Sequence, residues 1–337
     1  MRCIQPILVS LAAVVCLAAQ PDPASDPAIV DQAARSEQIF SGGILTEGVT
    51  SALDGAIYFS DITFTHQSKM RAGDIWRFDP RTRDLRIFRS PSGMSNGLKF
   101  DAQGRLLAAE GADHGGRRLT RTDMTTGKAE ILAAFYEGRQ LNSPNDLTID
   151  NRGRIYFSDP RYLGHEAIDQ PVHAVYRVDP DRSIHRIITD AGKPNGVCIS
   201  PDQRTLYVVS NDNGMTGAGR MPDTAPVLRG RMALLAYDLS PEGTAKFRRL
   251  LVDYAPEDGP DGLVADVDGN LYVAVRRASR PGIVVYSPEG KERAFIRTAN
   301  LPTNVGFGRG AEASMLYFTE GGNVHRIRVK KAGFQLP

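Results

Sequence analysis

The sequence predicts an all-β fold, a six-bladed β-propeller whose four-stranded antiparallel blades surround a central channel. One observation is a phrase that recurs six times. Its clearest copy runs Ser143-Pro144-Asn145-Asp146-Leu147-Thr148-Ile149-Asp150 and continues to Ile155-Tyr156-Phe157-Ser158-Asp159. It reads as a polar leading residue, a short alternating strand, an Asp-x-x-Gly hairpin and a second strand of aromatic and β-branched residues. The other copies start at Glu47, Asn96, Asn195, Asp261 and Asn304, giving spacings of 49, 49, 50, 66 and 43 residues. A strand-containing period near ~50 residues is that of propeller blades. The third observation is a strand ending in an Asp-Pro turn, as in Gly73-Asp74-Ile75-Trp76-Arg77-Phe78-Asp79-Pro80 and Ala174-Val175-Tyr176-Arg177-Val178-Asp179-Pro180, which supplies the third strand of a blade.

At the N-terminus, Met1-Arg2 precedes an apolar run from Ile7 to Ala19. A short basic start, a short apolar run and small residues make residues 1–19 a secretory signal peptide, too short to cross a ~30 Å hydrocarbon core. The expectation is export to the periplasm or beyond, with no membrane attachment after cleavage. A lipid anchor at Cys16 stays open, although Ala13-Val14-Val15-Cys16 fits such a site poorly. After cleavage Cys198 alone remains of the three cysteines, so no intrachain disulfide can form. Residues 20–39, rich in Pro, Asp and Ala, are expected to be a flexible lead-in, and residues 40–332 the propeller domain. Within it the blades cover roughly 40–90, 96–134, 145–188, 195–252, 261–296 and 304–329. The long spacing before Asp261 marks an insertion over 213–231 without strand periodicity, placed to fold over the channel mouth as a lid or to run free at the surface. Net charge is +2, with 24% charged residues of both signs interspersed. No basic block or basic and aromatic stripe points to nucleic acid, and no motif specifies an oligomeric state.

Each repeat places one polar side chain before its innermost strand, so Glu47, Asn96, Asn145, Asn195, Asp261 and Asn304 converge at one end of the axis. Two carboxylates and several carboxamide oxygens form an all-oxygen site suited to hard cations. The plainer explanation is that Asn or Asp before Gly merely forms a turn. It fails for Glu47, and two facing acids would repel without a cation.

These stretches resemble a known family. Pro144-Asn145-Asp146-Leu147, Pro194-Asn195-Gly196-Val197 and Pro260-Asp261-Gly262-Leu263 are similar to the inner-strand motifs of the gluconolactonase and regucalcin (senescence marker protein) family, and Glu47-Gly48 with Leu53-Asp54-Gly55-Ala56-Ile57-Tyr58-Phe59-Ser60-Asp61 resembles its opening. The resemblance covers about residues 40–330 and implies a divalent cation in the channel of a lactone hydrolase acting on a small-molecule substrate. It implies Glu47, Asn195 and Asp261 as metal ligands, Asn145 as a ligand or close neighbour that also contacts substrate, and Asp261 as general base. The export signal favours calcium, with Mg²⁺, Mn²⁺ or Zn²⁺ as alternatives. Asn96 joins the substrate-binding set, together with Arg118 (or its neighbour Arg117), Arg161 and Glu320, which follow or end second strands and are placed to line the mouth. Competing readings are a metal-dependent esterase or phosphotriesterase on the same site, and a propeller that only binds a partner.

Two apparent motifs are set aside. Gly93-Met94-Ser95-Asn96-Gly97 fits G-x-S-x-G, but a nucleophile elbow needs a helix after it, and Leu98-Lys99-Phe100 reads as strand. Asp266-Val267-Asp268-Gly269-Asn270 opens like a calcium loop but lacks the distal Glu and matches the hairpins of other repeats. Some organophosphate-hydrolysing relatives hold a second calcium with an acid three residues after the catalytic Asp. Val264 stands there, which argues against that ion.

Overall fold

The computed structural model describes residues 20–22, 24–216 and 228–336. The expected signal peptide, Cys16 and the centre of the expected lid lie outside the described residues. From the axis outwards, blade one consists of strands Thr46–Ser51, Ile57–Asp61, Asp74–Phe78 and Leu85–Arg89. The inner strands of the next five blades are Ser95–Phe100, Leu147–Ile149, Pro194–Ile199, Pro260–Ala265 and Pro302–Phe307. Each touches its neighbours, and the last touches the first, so six antiparallel blades close into a ring. Among the described residues, two short helical turns, Thr65–Ser68 and Gly310–Glu312, interrupt an otherwise all-β fold.

The alternation of each second strand explains the stacking, because successive side chains leave opposite faces of a sheet. Tyr58 points towards blade two, edge-on to Phe100 at 5.2 Å, while Phe59 points the other way and meets Phe40 at 5.0 Å. Repeated around the circle, this produces six apolar layers, one between each pair of adjacent blades. Both faces of a blade are therefore buried, and the second strands read as nearly continuous apolar runs, as sheets covered on both sides do.

The ring closes with a strand that the repeat did not reveal. Blade six contributes Pro302–Phe307, Met315–Glu320 and Asn323–Arg328, and its outer strand is Glu37–Phe40 from the start of the chain. The same segment corrects the expectation of a flexible lead-in. Ile29 and Val30 are fully buried in the layer between blades five and six, and the Ile29 carbonyl accepts the Lys330 N–H at 2.8 Å. Gln20–Pro21 adds a fifth strand to blade five. Low apolar content hid this, because the anchoring rests on two aliphatic residues and backbone pairing. At the far end of the channel the C-terminal segment crosses the opening, with the Phe334 N–H donating to the Ala265 carbonyl at 2.9 Å. Cys198 is a buried free thiol.

Candidate active site

The leading residues sit in bulges, not turns. In five blades the pairing between inner and second strands slips at this point, between Glu47 and Thr50, Ser95 and Leu98, Pro194 and Val197, Pro260 and Leu263, and Pro302 and Val305. A bulge kinks the strand and re-aims one side chain, here towards the axis. The following glycine is needed for packing. A Cβ on Gly48 would lie 2.0 Å from the Asn96 carbonyl oxygen, and one on Gly196 would lie 2.4 Å from that of Asp261. The Asn-Gly and Asp-Gly pairs thus let six inner strands crowd round one axis while their polar side chains turn inwards.

Acids at the ends of second strands steady the approach to the bulges. Asp61 accepts the Ile44 and Leu45 N–H groups at 2.9 and 3.0 Å, just before Glu47. Asp159 does the same for Asn142 and Ser143 at 2.8 and 2.7 Å, just before Asn145. Burial pushes the Asp159 carboxyl up to about 7 despite these two donors.

Glu47, Asn96, Asn145, Asn195 and Asp261, contributed by five different blades, line one cavity of about 210 Å³. All five are at least nine-tenths buried, with Glu47 4% and Asp261 7% exposed. Two carboxylates held this way disfavour each other's charge. Burial first, then the Asp261 charge, raises Glu47 well above the usual carboxylate range; burial raises Asp261 to about 6, opposed by Arg276 and the Asn195 side chain. Glu47 Oε2 accepts the Gly48 N–H at 3.1 Å and the Asn304 amide at 3.2 Å, which ties the sixth leading residue into the cluster. Asn96 Oδ1 is buried with no hydrogen-bond partner among the described residues. An orphaned buried carbonyl oxygen is costly, and beside two crowded carboxylates it fits an oxygen-binding cation such as Ca²⁺ or Mg²⁺. The residues that can hold it are Glu47, Asn195 and Asp261, with Asn145 and Asn96 at the same cavity wall.

Three expected substrate contacts lie elsewhere. Arg118 Nε pairs with Glu110 Oε2 at 2.8 Å, and its neighbour Arg117 is buried against the Leu141 carbonyl and Asp169. Arg161 is completely buried and donates to the Asn142 and Glu166 carbonyls. Glu320 accepts the Asn300 N–H at 2.8 Å and pairs with His325 Nε2 at 3.0 Å. None of the four lines the cavity. Mouth loops need internal anchors because their backbone groups are otherwise unpaired, and these side chains serve that purpose.

The cavity wall also contains residues the repeat did not single out. Arg276 Nη1 lies 3.3 Å from Asp261 Oδ2 and 3.2 Å from the Pro302 carbonyl. Tyr162 lines the cavity and donates to the Asn211 carbonyl at 2.9 Å. Behind it, buried Lys193 lies 4.7 Å from the Tyr162 ring centre and donates to the Met215 carbonyl. Asn213 and Met215, the start of the expected lid, are lining residues; residues 217–227 fall outside the described residues. Asp146, next to Asn145, is buried and raised to about 6, chiefly by burial, bringing a third acid close to Glu47 and Asp261. Its place in the sequence, where four of the other five repeats have Gly, was a visible signal.

The model of the SMP-30/gluconolactonase/LRE-like region matches residues 45–322. A protein named gluconolactonase from Zymomonas mobilis is 30% identical over 262 residues, covering 73% of this chain and 65% of its own length. The chain thus spans under two thirds of that relative. Among solved structures, a gluconolactonase from Xanthomonas campestris superposes with a TM-score of 0.73 at 26% identity, covering 92% of this chain and 97% of that one. A calcium-binding regucalcin from Agrobacterium tumefaciens shares the fold, with a TM-score of 0.66 at 18% identity, covering 89% and 95%. With its repeats, its bulged inner strands and a model match over most of its length, the chain belongs to the SMP-30/gluconolactonase/LRE-like family.

Proposed function

We propose that this protein is a divalent-cation-dependent hydrolase that opens a sugar lactone. The observation that carries the reading is the meeting of Glu47 and Asp261, distant in sequence, at one buried cavity lined with carboxamides. The gluconolactonase names of the relatives from Zymomonas and Xanthomonas support the substrate class, and the calcium-binding regucalcin from Agrobacterium supports the class of ion.

Glu47, Asn195 and Asp261 would hold the cation, calcium first. A bound cation supplies Lewis acidity and positive charge where the lactone carbonyl gains negative charge. Asn145 and Asn96 present amide groups to the carbonyl and hydroxyls of the substrate. Asp261 accepts the proton of the attacking water, the water oxygen bonds to the carbonyl carbon, and the ring C–O bond breaks. The same proton then passes to the departing ring oxygen, giving the open hydroxy acid with no other reactant. Arg276, 3.3 Å from Asp261 Oδ2, keeps that carboxyl ionised and oriented. Tyr162, Phe64 and Leu163 give the same cavity an apolar side.

The test is hydrolysis of glucono-1,5-lactone by calcium-loaded wild type and Asp261→Asn. Loss of a positioned general base costs about 10²–10⁴-fold in rate. Equal rates for the two proteins would remove Asp261 from the mechanism, and no calcium-dependent hydrolysis by wild type over a panel of sugar lactones would remove the function. Export is part of the same proposal, and an intact Met1 on protein recovered from the producing cell would contradict it.

A further inference from the structure

A second cluster lies at the rim of the same mouth, built from loops of blades two and three. Asp113 and His114 follow the second strand of blade two, and His165 follows that of blade three. One ligand atom from each of the three lies within 4.8 Å of the others. The adjoining residues reach the cavity wall, where Phe64 and Leu163 are lining residues.

The details single out Asp113. It is 2% exposed. Its Oδ2 accepts the Thr65 N–H from blade one at 2.8 Å. Its Oδ1 faces His165 Nε2 at 3.6 Å and receives no hydrogen bond among the described residues. That separation is too long for a hydrogen bond. It is close to the edge of a tetrahedron of nitrogen and oxygen ligands about 2.0–2.2 Å from a zinc ion, which is about 3.3 Å. The His114 and His165 rings lie 5.8 Å apart, tilted by 45°, with neither stacked on the other.

The backbone is shaped to bring these side chains together. Asp113 and His114 both adopt left-handed conformations, with φ of 69° and 62°, a costly arrangement for consecutive residues other than glycine. Glu166 stabilises it by accepting both amide N–H groups, at 3.1 Å from Asp113 and 2.6 Å from His114. Glu166 is in turn held by the Arg161 guanidinium at 3.2 Å. The Thr65 and Glu166 contacts orient the candidate ligands from behind, as outer partners do around protein metal sites.

We propose that Asp113, His114 and His165 bind one divalent transition ion of the zinc class, with the remaining position taken by water or a substrate group. Two imidazoles and one carboxylate favour a borderline ion such as Zn²⁺, Co²⁺ or Ni²⁺, whereas the all-oxygen set in the channel favours a hard one. The two sites therefore differ in the metal they select. The rim ion joins the mouth loops of blades two and three, with blade one reached only through the Thr65 N–H bond to Asp113, and it does not depend on the lactonase reading.

Co²⁺ serves as the probe, because its visible absorption reports nitrogen ligation and tetrahedral geometry. Tag-free protein loaded with calcium is titrated with Co²⁺, and bound metal is counted after dialysis. Wild type and Asp261→Asn should both develop the bands and hold one Co²⁺ that Zn²⁺ displaces. His165→Ala and His114→Ala, both at exposed positions, should keep the wild-type melting temperature and calcium content but bind Co²⁺ about 100-fold more weakly or worse. Wild type without stoichiometric Co²⁺, or histidine variants that bind it as tightly as wild type, would overturn the site. Loss of the bands in Asp261→Asn alone would assign the Co²⁺ to the channel and equally overturn it.

Discussion

Glu47→Gln separates electrostatics from shape at the centre of the molecule. Glutamine preserves the side-chain volume, and its carbonyl can still accept the Gly48 N–H. In wild type two carboxylates are buried round one cavity. The cost that the substitution removes sits on Glu47 itself, which burial first and then the Asp261 charge push well above the ordinary carboxylate range. Neutralising one of the pair should therefore relieve about 1–3 kcal/mol in the cation-free protein at neutral pH. A large domain shifts by about 2 °C per kcal/mol, so the variant should melt about 2–6 °C above wild type in chelator. Calcium should reverse the order. At 100 times its dissociation constant a ligand adds about 2.7 kcal/mol, and the variant has lost a carboxylate ligand. Melts of both proteins, in chelator and in excess calcium, decide the matter. A variant that melts below wild type in chelator, or gains the same increment from calcium, refutes this reasoning.

Three further predictions concern the scaffold. Gly48→Ala places a Cβ 2.0 Å from the Asn96 carbonyl at a residue with φ of 32°, and should cost about 2–4 kcal/mol, read from urea unfolding midpoints; a change below 0.5 kcal/mol would show that the inner strands can separate freely. Phe40→Ala removes a ring buried between blades six and one in the closing strand, and should cost about 3–5 kcal/mol by the same measurement, whereas a neutral result would mean that the N-terminal strand does not hold the ring shut. Asp159 titrates at about 7 when folded and near ~3.9 when unfolded, so its contribution is fully present below about pH 4 and is lost as pH rises through 7. Unfolding free energies should therefore move in favour of Asp159→Asn, relative to wild type, between about pH 4 and 7, and a pH-independent difference would contradict the raised value.

The ring was legible because the repeat encodes two things at once. Alternation in Ile57-Tyr58-Phe59-Ser60-Asp61 and its counterparts identifies strands packed on both faces, and the leading polar residues fall at the same point of the first five blades, whereas in blade six Thr303 stands there and Asn304 one residue later. Five of those six line the cavity, and Asn304 joins through Glu47. The closing strand Glu37–Phe40 was not legible, since it lies far from its blade in sequence and has no copy of the phrase. Charged mouth residues were misread for a related reason. By strand register, Ile62, Asn211 and Arg276 all stand one residue beyond the partner of the residue preceding a leading side chain, and all three line the cavity. The register shows that such a position can face the channel. Glu320 stands one residue earlier, opposite Pro302 as Asp61 stands opposite Thr46, and it turns away towards His325 and the Asn300 N–H. That choice depends on contacts between loops of different blades, which no local pattern records. For Asp146 the sequence did carry a signal, an acid where glycine is the rule, and its burial shows why it matters.

Diffraction from crystals soaked in calcium, with the anomalous signal used to locate the ion, tests the central claim most directly. The account predicts one calcium on the propeller axis, coordinated at about 2.3–2.6 Å by carboxylate oxygens of both Glu47 and Asp261 and by the Asn195 amide oxygen. A channel without calcium under saturating soak, or an ion bound away from these two carboxylates, would contradict it.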